Sequence, residues 1–585
     1  MDSSPSIITI DESSTYQSIL GFGGAFTEAS AVNFYKLPVE VQKKFMALYF
    51  GKDGIGYTLG RIHINSCDFS LESYNFDNVS NDYDLTQFDT EVTHDQMAIL
   101  PFIRLAMETS SAPIRLLASP WSPPAWMKNP DAEGKQEMTG SALPNGLRND
   151  IKTKVAWARY ISKFISAYSA QGVPVWSVTP QNEPEFPAPW EACAYNASFE
   201  NDFIQNYLGP VLRAEHPGVL ILGFDHNKDH LVAWAKTLMA RGTEKYIDGM
   251  AFHWYSGGAR VEDGTYGYDA LNTTYHLSPG SVLLASEGCS CPGVEVGNWL
   301  RAERLGHDVM FDLLNHAQGW IDWNLLVDHE GGPNHLGNNC DAALVTDENF
   351  EDLIVQPKFH YMAHFSKFIP PGAVRISSTA VGNFEYETMD PNIQAGAELG
   401  MFPCERSVRQ MWRLLSTPAL TMDQTYPGKV QLCAARSSKP LRSALRIADC
   451  TDASADLLRV SQNALGQLVD ANSTLCLSFV GDVREAGALL ELAPCLSLFA
   501  HDVSTGVITA PKVDRALCLT AGWPFFNAVA FQYLDPTDHK GVRMKNSVVV
   551  MNEAAVGTSL VLWDKLKDAY LGLAVEARAI QTIVF

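Results

Sequence analysis

The chain has 585 residues, too many for a single hydrophobic core, so several domains are expected. Its 43 Lys and Arg against 66 Asp and Glu give a formal charge of −23, which repels phosphate backbones, so nucleic acid is not an expected partner. No apolar run reaches the roughly 18 residues of a membrane-spanning helix. The opening MDSSPSIITIDESS lacks the basic and apolar regions of a signal peptide, so any such peptide is expected outside this chain.

From residue 18 to about 330, strand-like runs alternate with helix-length segments. The runs are nearly continuous in apolar residues, as in parallel strands covered on both faces. Amphipathic segments such as KTKVAWARYISKFISAYSAQG (152–172) lie between them and predict helices. Eight such units predict a (β/α)₈ TIM barrel. Its strands are expected at 18–26, 54–64, 112–121, 173–183, 219–227, 247–255, 282–289 and 319–328.

Polar or aromatic side chains stand at the carboxyl end of nearly every predicted strand. Barrel active sites are built at that rim, so these residues are the first candidates for chemistry. They are Arg61, Trp121, Asn182, Glu183, Asp225, His253, Tyr255, Glu287 and Trp323.

Beyond residue 370 the helical spacing fades, and alternating segments near both chain ends predict antiparallel strands with one solvated face. These segments are expected to form one β-sandwich against the barrel. The predicted order is first sandwich strands at 1–17, the barrel at 18–370, sandwich at 371–403, an insert at 404–530 and sandwich again at 531–585.

The insert carries a threefold repeat. A Leu-Cys pair recurs at intervals of about 40 residues, ending at Cys433, Cys476 and Cys518, which indicates three copies of one small β unit. The segment resembles the ricin-B-like β-trefoil. That resemblance implies disulfides Cys433–Cys450 and Cys476–Cys495, with no second cysteine in the third repeat. It also implies a glycan ligand, although the family's Gln-X-Trp motif survives only loosely, as Gln410-Met-Trp412.

Eleven cysteines and four Asn-X-Ser/Thr acceptors favour an oxidising, secretory-route protein. The acidic composition also fits an acidic compartment. We therefore expect a lysosome, an acidic vacuole or the cell exterior. The acceptor asparagines are Asn78, Asn196, Asn272 and Asn472.

Glu183 ends the apolar run VPVWSVTPQNE and lies in a stiff turn between Pro180 and Pro184. Apolar neighbours would make this carboxyl harder to ionise, which suits a general acid. The neighbours expected to have this effect are Trp176, Phe186 and Trp190. A second carboxylate, Glu287, ends the run VLLASE. On strands four and seven of a barrel the two can converge, and two facing carboxylates are what glycoside hydrolysis requires.

Ten stretches resemble the glycoside hydrolases of family 30, of the acid β-glucosidase (glucosylceramidase) type. They run in family order over residues 18–372, and the insert is a departure from the pattern. Among them are GFGGAFTEASA (21–31), GRIHINSCDFS (60–70), LLASPWSPPAWMK (116–128), TPQNEP (179–184), FHWY (252–255), LLASEGC (283–289) and GGPN (331–334).

The resemblance implies roles for individual side chains. Glu183 would be the acid/base, Glu287 the nucleophile, and Asn182 a contact to the sugar 2-hydroxyl. Tyr255 would lie near the nucleophile, with Arg61 beneath it as a positive partner. His253 and Glu28 are expected to support the site without touching substrate. The remaining glucose contacts would be Asp68, Trp121, Trp323 and Asn338.

We therefore expect a retaining β-glucosidase acting on glucosylceramide, with no cofactor. Cys289-Ser-Cys291 lacks the second Cys or His pair of a zinc site, so no metal is expected. A glycosphingolipid substrate implies transient docking at a membrane surface and a lipid-presenting activator protein as partner. An endo-acting polysaccharide hydrolase of the β-1,6-glucanase or xylanase type is the alternative. A non-catalytic glycan-binding protein is a further one.

Overall fold

The structure is a computed structural model that describes residues 6–380, except 132, 141–145, 187, 240–244 and 257–266. Beyond residue 380 it describes strands and a few residues at their ends, and between 399 and 527 only the backbone of those strands. Within this described part, no helix combines the length and apolarity needed to cross a bilayer.

Eight parallel strands close into a barrel in chain order, which confirms the predicted (β/α)₈ architecture. Every strand lies within the range expected from the sequence. The strands are β2 (Gly21–Ala25), β3 (Leu59–Ile64), β4 (Arg115–Pro120), β5 (Val175–Val178), β6 (Leu220–Asn227), β7 (Gly249–His253), β8 (Val282–Glu287) and β9 (Gly319–Asn324).

The barrel interior is filled by a layer of aliphatic side chains from six strands, among them Leu59, Leu222 and Ile321. The glycine run at 21–24 belongs to this packing. A Cβ on Gly23 would lie 1.9 Å from the carbonyl oxygen of Leu59, so only glycine allows β2 to approach β3 here. The run therefore serves close backbone contact.

Helices surround the barrel and bury their apolar faces against its outer surface. Their starts follow from local sequence, because Thr27, Asp150 and Asn298 each accept a hydrogen bond from the backbone N–H three residues on. The helices are α1 (Glu28–Lys36), α2 (Val39–Tyr49), α3 (Thr93–Gln96), α4 (Ile99–Thr109), α5 (Ile151–Ala170), α6 (Ala197–Phe203), α7 (Gly209–Glu215), α8 (Leu231–Leu238), α9 (Gly267–Leu277), α10 (Trp299–Leu314) and α11 (Pro357–Ser366).

Both chain ends contribute to one seven-stranded sheet, in the order β28-β27-β1-β12-β25-β26-β29. Its edge strands β28 and β29 contact each other, so the predicted sandwich is a single sheet that curls upon itself. The strands are β1 (Ser6–Ser18), β12 (Val374–Ala380), β25 (Phe526–Leu534), β26 (Met544–Asn552), β27 (Thr558–Asp564), β28 (Ala569–Val575) and β29 (Ala579–Val584).

Both faces of this sheet are buried at its centre. Along β25, Ala528 and Ala530 pack into the core enclosed by the curled sheet, while Val529 and Phe531 join the core of the barrel domain. Successive strand residues point to opposite faces, so a continuous apolar run results. The sheet is therefore fixed to the barrel by side chains.

The region between these end strands contains antiparallel strands in an eight-stranded and a four-stranded sheet. The trefoil itself stays a prediction. The side chains of Cys433, Cys450, Cys476 and Cys495, and the whole of Asn472, lie outside the described residues, so the two disulfides also stay predictions. The strands are β13 (Leu399–Pro403), β14 (Trp412–Leu414), β15 (Leu420–Tyr426), β16 (Val430–Arg436), β17 (Leu445–Asp449), β18 (Val460–Gln462), β19 (Leu468–Asp470), β20 (Cys476–Phe479), β21 (Ala488–Ala493), β22 (Ala500–Asp502), β23 (Val507–Thr509) and β24 (Leu517–Ala521). A separate hairpin, β10 (Leu344–Thr346) and β11 (Leu353–Val355), precedes α11.

Candidate active site

A pocket of about 280 Å³ opens at the carboxyl end of the barrel strands. The sequence predicts the chemistry at this end of the barrel. The structure brings together most of the predicted site residues there. Those that line the pocket are Asp68, Trp121, Glu183, Tyr255, Glu287, Trp323 and Asn338.

Glu183 and Glu287 face each other across this pocket. Glu183 follows the fourth barrel strand and Glu287 ends the seventh, and one carboxylate oxygen from each lies within 4.8 Å of the other. Glu183 has a φ of 43°, and its backbone N–H donates to the carbonyl of Asp225 at 3.0 Å. A non-glycine residue in this region is strained, and such strain is found where a side chain must be aimed.

Glu287 is held from two sides. Its Oε1 accepts the hydroxyl of Tyr255 at 2.7 Å, and its Oε2 pairs with Nη1 of the fully buried Arg61. Burial lowers the pKa of Arg61, but the charges of Asp225 and Glu287 outweigh burial and raise it. The guanidinium is therefore a permanent positive charge under the carboxylate, as the family resemblance implied.

Asp225 anchors the floor of the site. It lies at an irregularity of β6, where Phe224 and Asp225 have φ values of 78° and 58° and the pairing with β7 shifts register. Its carboxylate accepts from Arg61 at 2.7 Å and from the hydroxyls of Thr179 and Ser286 at 2.7 and 2.6 Å. Burial raises the pKa of Asp225, but Arg61 and His253 outweigh burial and hold it well below its usual range.

His253 stands between the two facing carboxylates. Its Nε2 lies 3.0 Å from Asp225 Oδ1, while its Nδ1 lies 3.3 Å from Glu183 Oε1 and 3.8 Å from Glu287 Oε1. Burial lowers the pKa of His253, but Glu287, Asp225 and Glu183 together raise it to about 9. The sequence predicts that His253 supports the site without touching substrate, and the structure adds that its Nδ1 lies near both carboxylates.

The expected raised pKa of Glu183 is wrong. Burial does raise it, but the imidazoles of His226 and His253 more than compensate and lower the pKa of Glu183 to about 2. Phe186 and Trp190 line the pocket as predicted. Trp176, in contrast, packs against the aliphatic layer inside the barrel. The lowered pKa of Glu183 and the raised pKa of His253 both favour a carboxylate beside an imidazolium.

Asp68 and Asn338 form a polar pair in the pocket wall. Asn338 Nδ2 donates to Asp68 Oδ2 at 2.7 Å, while buried Asp68 Oδ1 has no hydrogen-bond partner among the described residues. Burial, followed by the charge of Glu287, raises the pKa of Asp68 to about 8. A buried oxygen without a protein partner is costly unless a ligand hydroxyl satisfies it. This pair is therefore suited to binding a sugar.

Trp121 and Trp323 form an aromatic wall beside that pair. Their rings stack with centroids 5.2 Å apart, and the guanidinium of Arg61 lies 4.7 Å from the Trp121 ring. The two tryptophans pack against each other and also border the pocket, so packing and ligand contact are compatible at these positions.

Asn182 and Glu28 contact residues around the site: Asn182 bonds Arg61, and Glu28 bonds His94 and the backbone of Leu71. Asn182 Oδ1 accepts from Arg61 at 2.8 Å, and Asn182 is not among the residues that line the pocket, so its contact with a sugar stays a prediction. Glu28 pairs with His94 at 2.9 Å and accepts the backbone N–H of Leu71 at 3.1 Å. Glu28 thus fixes the loop that follows Asp68.

Two features of the site are not predicted by the sequence. Asp225 was recognised as a strand-end residue, but its contacts with Arg61 and His253 were not foreseen. The disulfide Cys291–Cys340 links the loops after the seventh and eighth strands across 49 residues. The one available signal was that both cysteines follow neighbouring barrel strands.

Three of the four glycosylation acceptors lie among the described residues. Asn78 and Asn196 are exposed and Asn272 is half-buried. Asn196 also caps α6 by accepting from the backbone N–H of Phe199. Glycosylation at these positions stays a prediction.

Comparison with known proteins agrees with this geometry. Residues 19–369 match the family model described as the glycosyl hydrolase family 30 TIM-barrel domain. The lysosomal acid glucosylceramidase of Mus musculus is 34% identical over 394 residues, covering 66% of this chain and 74% of the mouse protein. The endo-1,6-beta-D-glucanase neg1 of Aspergillus fumigatus is 28% identical over 391 residues, covering 65% of this chain and 76% of the fungal protein. SrfJ from Salmonella typhimurium shares the fold, with a TM-score of 0.66, 23% identity, and coverage of 100% of this chain and 94% of that one.

Proposed function

Because the chain belongs to glycosyl hydrolase family 30 and is a glycosidase, we propose that it is a retaining β-glucosidase that hydrolyses glucosylceramide to glucose and ceramide. The observation that carries the retaining mechanism is the approach of a Glu183 and a Glu287 carboxylate oxygen to within 4.8 Å. Retaining glycosidases hold their two carboxyl groups about 5–5.5 Å apart, whereas inverting ones leave room for a water.

The proposed course is a double displacement. Glu287 attacks the anomeric carbon while the Glu183 carboxyl delivers a proton to the leaving oxygen. The resulting glycosyl-enzyme is then hydrolysed by a water that Glu183 deprotonates. Arg61 and Tyr255 hold Glu287 in place for the attack.

The proton for the leaving group is shared by Glu183 and His253 in this scheme. We assign it to His253 in the resting site, because the pKa of His253 is raised and its Nδ1 is 3.3 Å from Glu183 Oε1. Glu287 is the strongest of the charges that raise the pKa of His253. Its carboxylate loses that charge as it bonds to the sugar, so His253 gives up its proton to Glu183 more readily during the first step.

Two observations support glucosylceramide as the substrate. The mouse relative named lysosomal acid glucosylceramidase is 34% identical to this chain over 394 residues. The pocket volume of about 280 Å³ is at the low end for ligand sites and suits a single sugar with an aglycone that extends outward.

A ceramide aglycone sets the expected surroundings of the enzyme. We propose that it docks transiently on a membrane surface, with aromatic residues such as Phe186, 39% exposed at the pocket wall, near the lipid. An activator protein that presents the lipid and a glycan bound by the insert belong to the same proposal. The enzyme would act in a lysosome or acidic vacuole, or after secretion.

The second candidate is an endo-acting β-1,6-glucanase. The fungal relative with that name, at 28% identity, favours it. The xylanase alternative has less support, and a non-catalytic protein is excluded because the chain is a glycosidase.

A panel of substrates distinguishes the two candidate functions. Purified enzyme is incubated with glucosylceramide in mixed micelles, with β-1,6-glucan and with xylan, at several pH values, and released glucose and oligosaccharides are measured. The proposal predicts glucose from glucosylceramide and from an aryl β-glucoside, with little product from either polysaccharide. Release of oligosaccharides from β-1,6-glucan, without ceramide formation, would replace it with the second candidate.

A further inference from the structure

Three cysteine sulfurs meet in the pocket wall beside Glu287. Cys291 and Cys340 form the disulfide, and the free thiol of Cys289 lies with its Sγ 3.3 Å from Cys291 Sγ. All three sulfurs lie within 4.8 Å of one another. Cys289 and Cys340 are buried, whereas Cys291 is exposed. The cluster therefore has a shielded side toward the sugar pocket and an open side toward solvent.

The three sulfurs are close enough to converge on one metal ion once the S–S bond is broken. Zinc–sulfur bonds are about 2.3 Å long, so ligand sulfurs around one ion lie roughly 3.8–4 Å apart. The Cys-X-Cys pair alone offers only two such ligands, which is why the sequence predicted no metal. The fold supplies the third ligand, because the loop after the eighth strand brings Cys340 to the loop after the seventh. While the disulfide is intact, two of these sulfurs cannot act as thiolates.

We propose that reduction of the Cys291–Cys340 disulfide creates a three-thiolate site for a soft divalent cation of the zinc and cadmium class, and that an ion bound there inhibits the enzyme. The inhibition rests on the proposed function, whereas the binding site does not. Soft thiolate ligands select this class of ion over Mg²⁺ and Ca²⁺.

The inhibition follows from one bridging side chain. The hydroxyl of Tyr255 lies 3.3 Å from Cys289 Sγ and donates to Glu287 Oε1 at 2.7 Å. A divalent ion on Cys289 therefore sits one hydroxyl away from the proposed nucleophile. With three thiolate ligands the bound ion leaves the site with a net negative charge beside Glu287. The Cys289 thiolate then competes with Glu287 for the Tyr255 hydroxyl, so the carboxylate loses a hydrogen bond that holds it for the attack.

The chemistry balances with a phosphine as reductant. The phosphine breaks the S–S bond and is oxidised to phosphine oxide by the oxygen of one water, which leaves two thiols. Binding of the ion by Cys289, Cys291 and Cys340 then releases the three thiol protons.

The test is a cadmium titration of the whole protein after phosphine treatment and anaerobic desalting. Ultraviolet cadmium–thiolate absorbance counts bound ions, and hydrolysis of an aryl β-glucoside measures inhibition. The wild type is compared with Cys289→Ser and with the matched control Cys193→Ser, which removes a buried free thiol away from the cluster. The six cysteines between 404 and 518 are present in every variant, so they cancel in the comparison.

The reduced wild type and Cys193→Ser should bind one cadmium ion more tightly than Cys289→Ser by at least tenfold. Cadmium should abolish most of the activity that each of these two reduced proteins has before the titration, and a chelator should restore it. Cadmium should leave the activity of the unreduced protein unchanged. A second readout needs no variant: cadmium should protect Cys289 from alkylation in the reduced wild type, as measured by mass spectrometry. Equal cadmium binding by all three proteins, or alkylation of Cys289 unaffected by cadmium, would overturn the site. Protection of Cys289 without inhibition would keep the site and reject its effect on catalysis.

Discussion

The imidazole Nε2 of His253 lies 3.0 Å from Oδ1 of Asp225, and neither side chain is accessible to solvent. This contact fixes the ring so that Nδ1 faces Glu183 and Glu287. Asp225 also carries the charge that balances Arg61 beneath Glu287. One carboxylate outside the pocket thus orients both cations of the site.

We predict that Asp225→Asn lowers kcat by about 10²-fold while changing KM little, because His253 and Arg61 lose their common counter-charge. The matched control is Asp322→Asn, at a residue that does not line the pocket. This change breaks the buried ion pair in which Lys358 Nζ lies 2.8 Å from Asp322 Oδ1. Both variants should be destabilised, but only the first should lose kcat. Steady-state kinetics of the folded fraction of each variant give the two kcat values. An equal loss of kcat in both variants would show that Asp225 has only a structural role.

The pKa of His253 predicts a pH-dependent stability. A pKa raised from 6.5 to about 9 means that the charged imidazole stabilises the folded state fully below pH 6.5, and that this contribution disappears as pH rises through 9. The contribution is on the order of 3 kcal/mol. In His253→Asn, the deficit in unfolding free energy relative to wild type should therefore be largest below pH 6.5 and shrink toward pH 9. Denaturant unfolding at pH 6 and pH 9 measures it, and a constant deficit would contradict the assignment.

The proposed acid/base role of Glu183 predicts a specific rescue. In Glu183→Ala, hydrolysis of unactivated β-glucosides should fall about 10²–10⁴-fold, because the carboxyl that delivers the proton to the leaving oxygen is missing. A dinitrophenyl glucoside should still form the glycosyl-enzyme, and azide should accelerate turnover by entering the space left by the carboxylate. Nuclear magnetic resonance should identify the product as β-glucosyl azide. The α-anomer, or no acceleration by azide, would contradict the acid/base role.

The hydrogen-bonded pair Asp68 and Asn338 predicts non-additive effects. Either Asp68→Ala or Asn338→Ala should reduce kcat/KM by about 10–100-fold, because each removes sugar contacts and leaves its partner unsatisfied. The double variant should lose less than the product of the two single losses, with a coupling of about 0.5–3 kcal/mol. Independent losses would show that the 2.7 Å contact does not unite them during catalysis.

Sequence reasoning could predict the barrel because its signal is local. A buried parallel strand must be apolar along its whole length, so VLLASE and VPVWSV are recognisable without a structure. The same logic placed Glu183 and Glu287 on strands four and seven, since strand order in a barrel follows chain order. The family resemblance then supplied the residues on loops, such as Asn338, for which no periodicity exists.

The properties that sequence reasoning missed depend on distant atoms. The pKa of Glu183 was expected to rise because nearby residues in the chain are aromatic, but His226 and His253 from the fifth and sixth strands reverse the shift. Asp225 turns inward because Phe224 and Asp225 both have positive φ values. The dipeptide Phe-Asp gives no sequence signal for that backbone conformation. The Cys291–Cys340 bond joins loops whose closeness depends on barrel closure.

The central claim is that Glu287 forms a covalent bond to the sugar while Glu183 faces it. A 2-deoxy-2-fluoro-β-glucoside with a good leaving group slows breakdown of such an intermediate, so the adduct can be digested and located by mass spectrometry. The account predicts stoichiometric inactivation, with the fluoroglucosyl mass on the peptide that contains Glu287 and no labelling of Glu287→Gln. A label on a different carboxylate, or an unlabelled active enzyme whose first product is α-glucose, would contradict it.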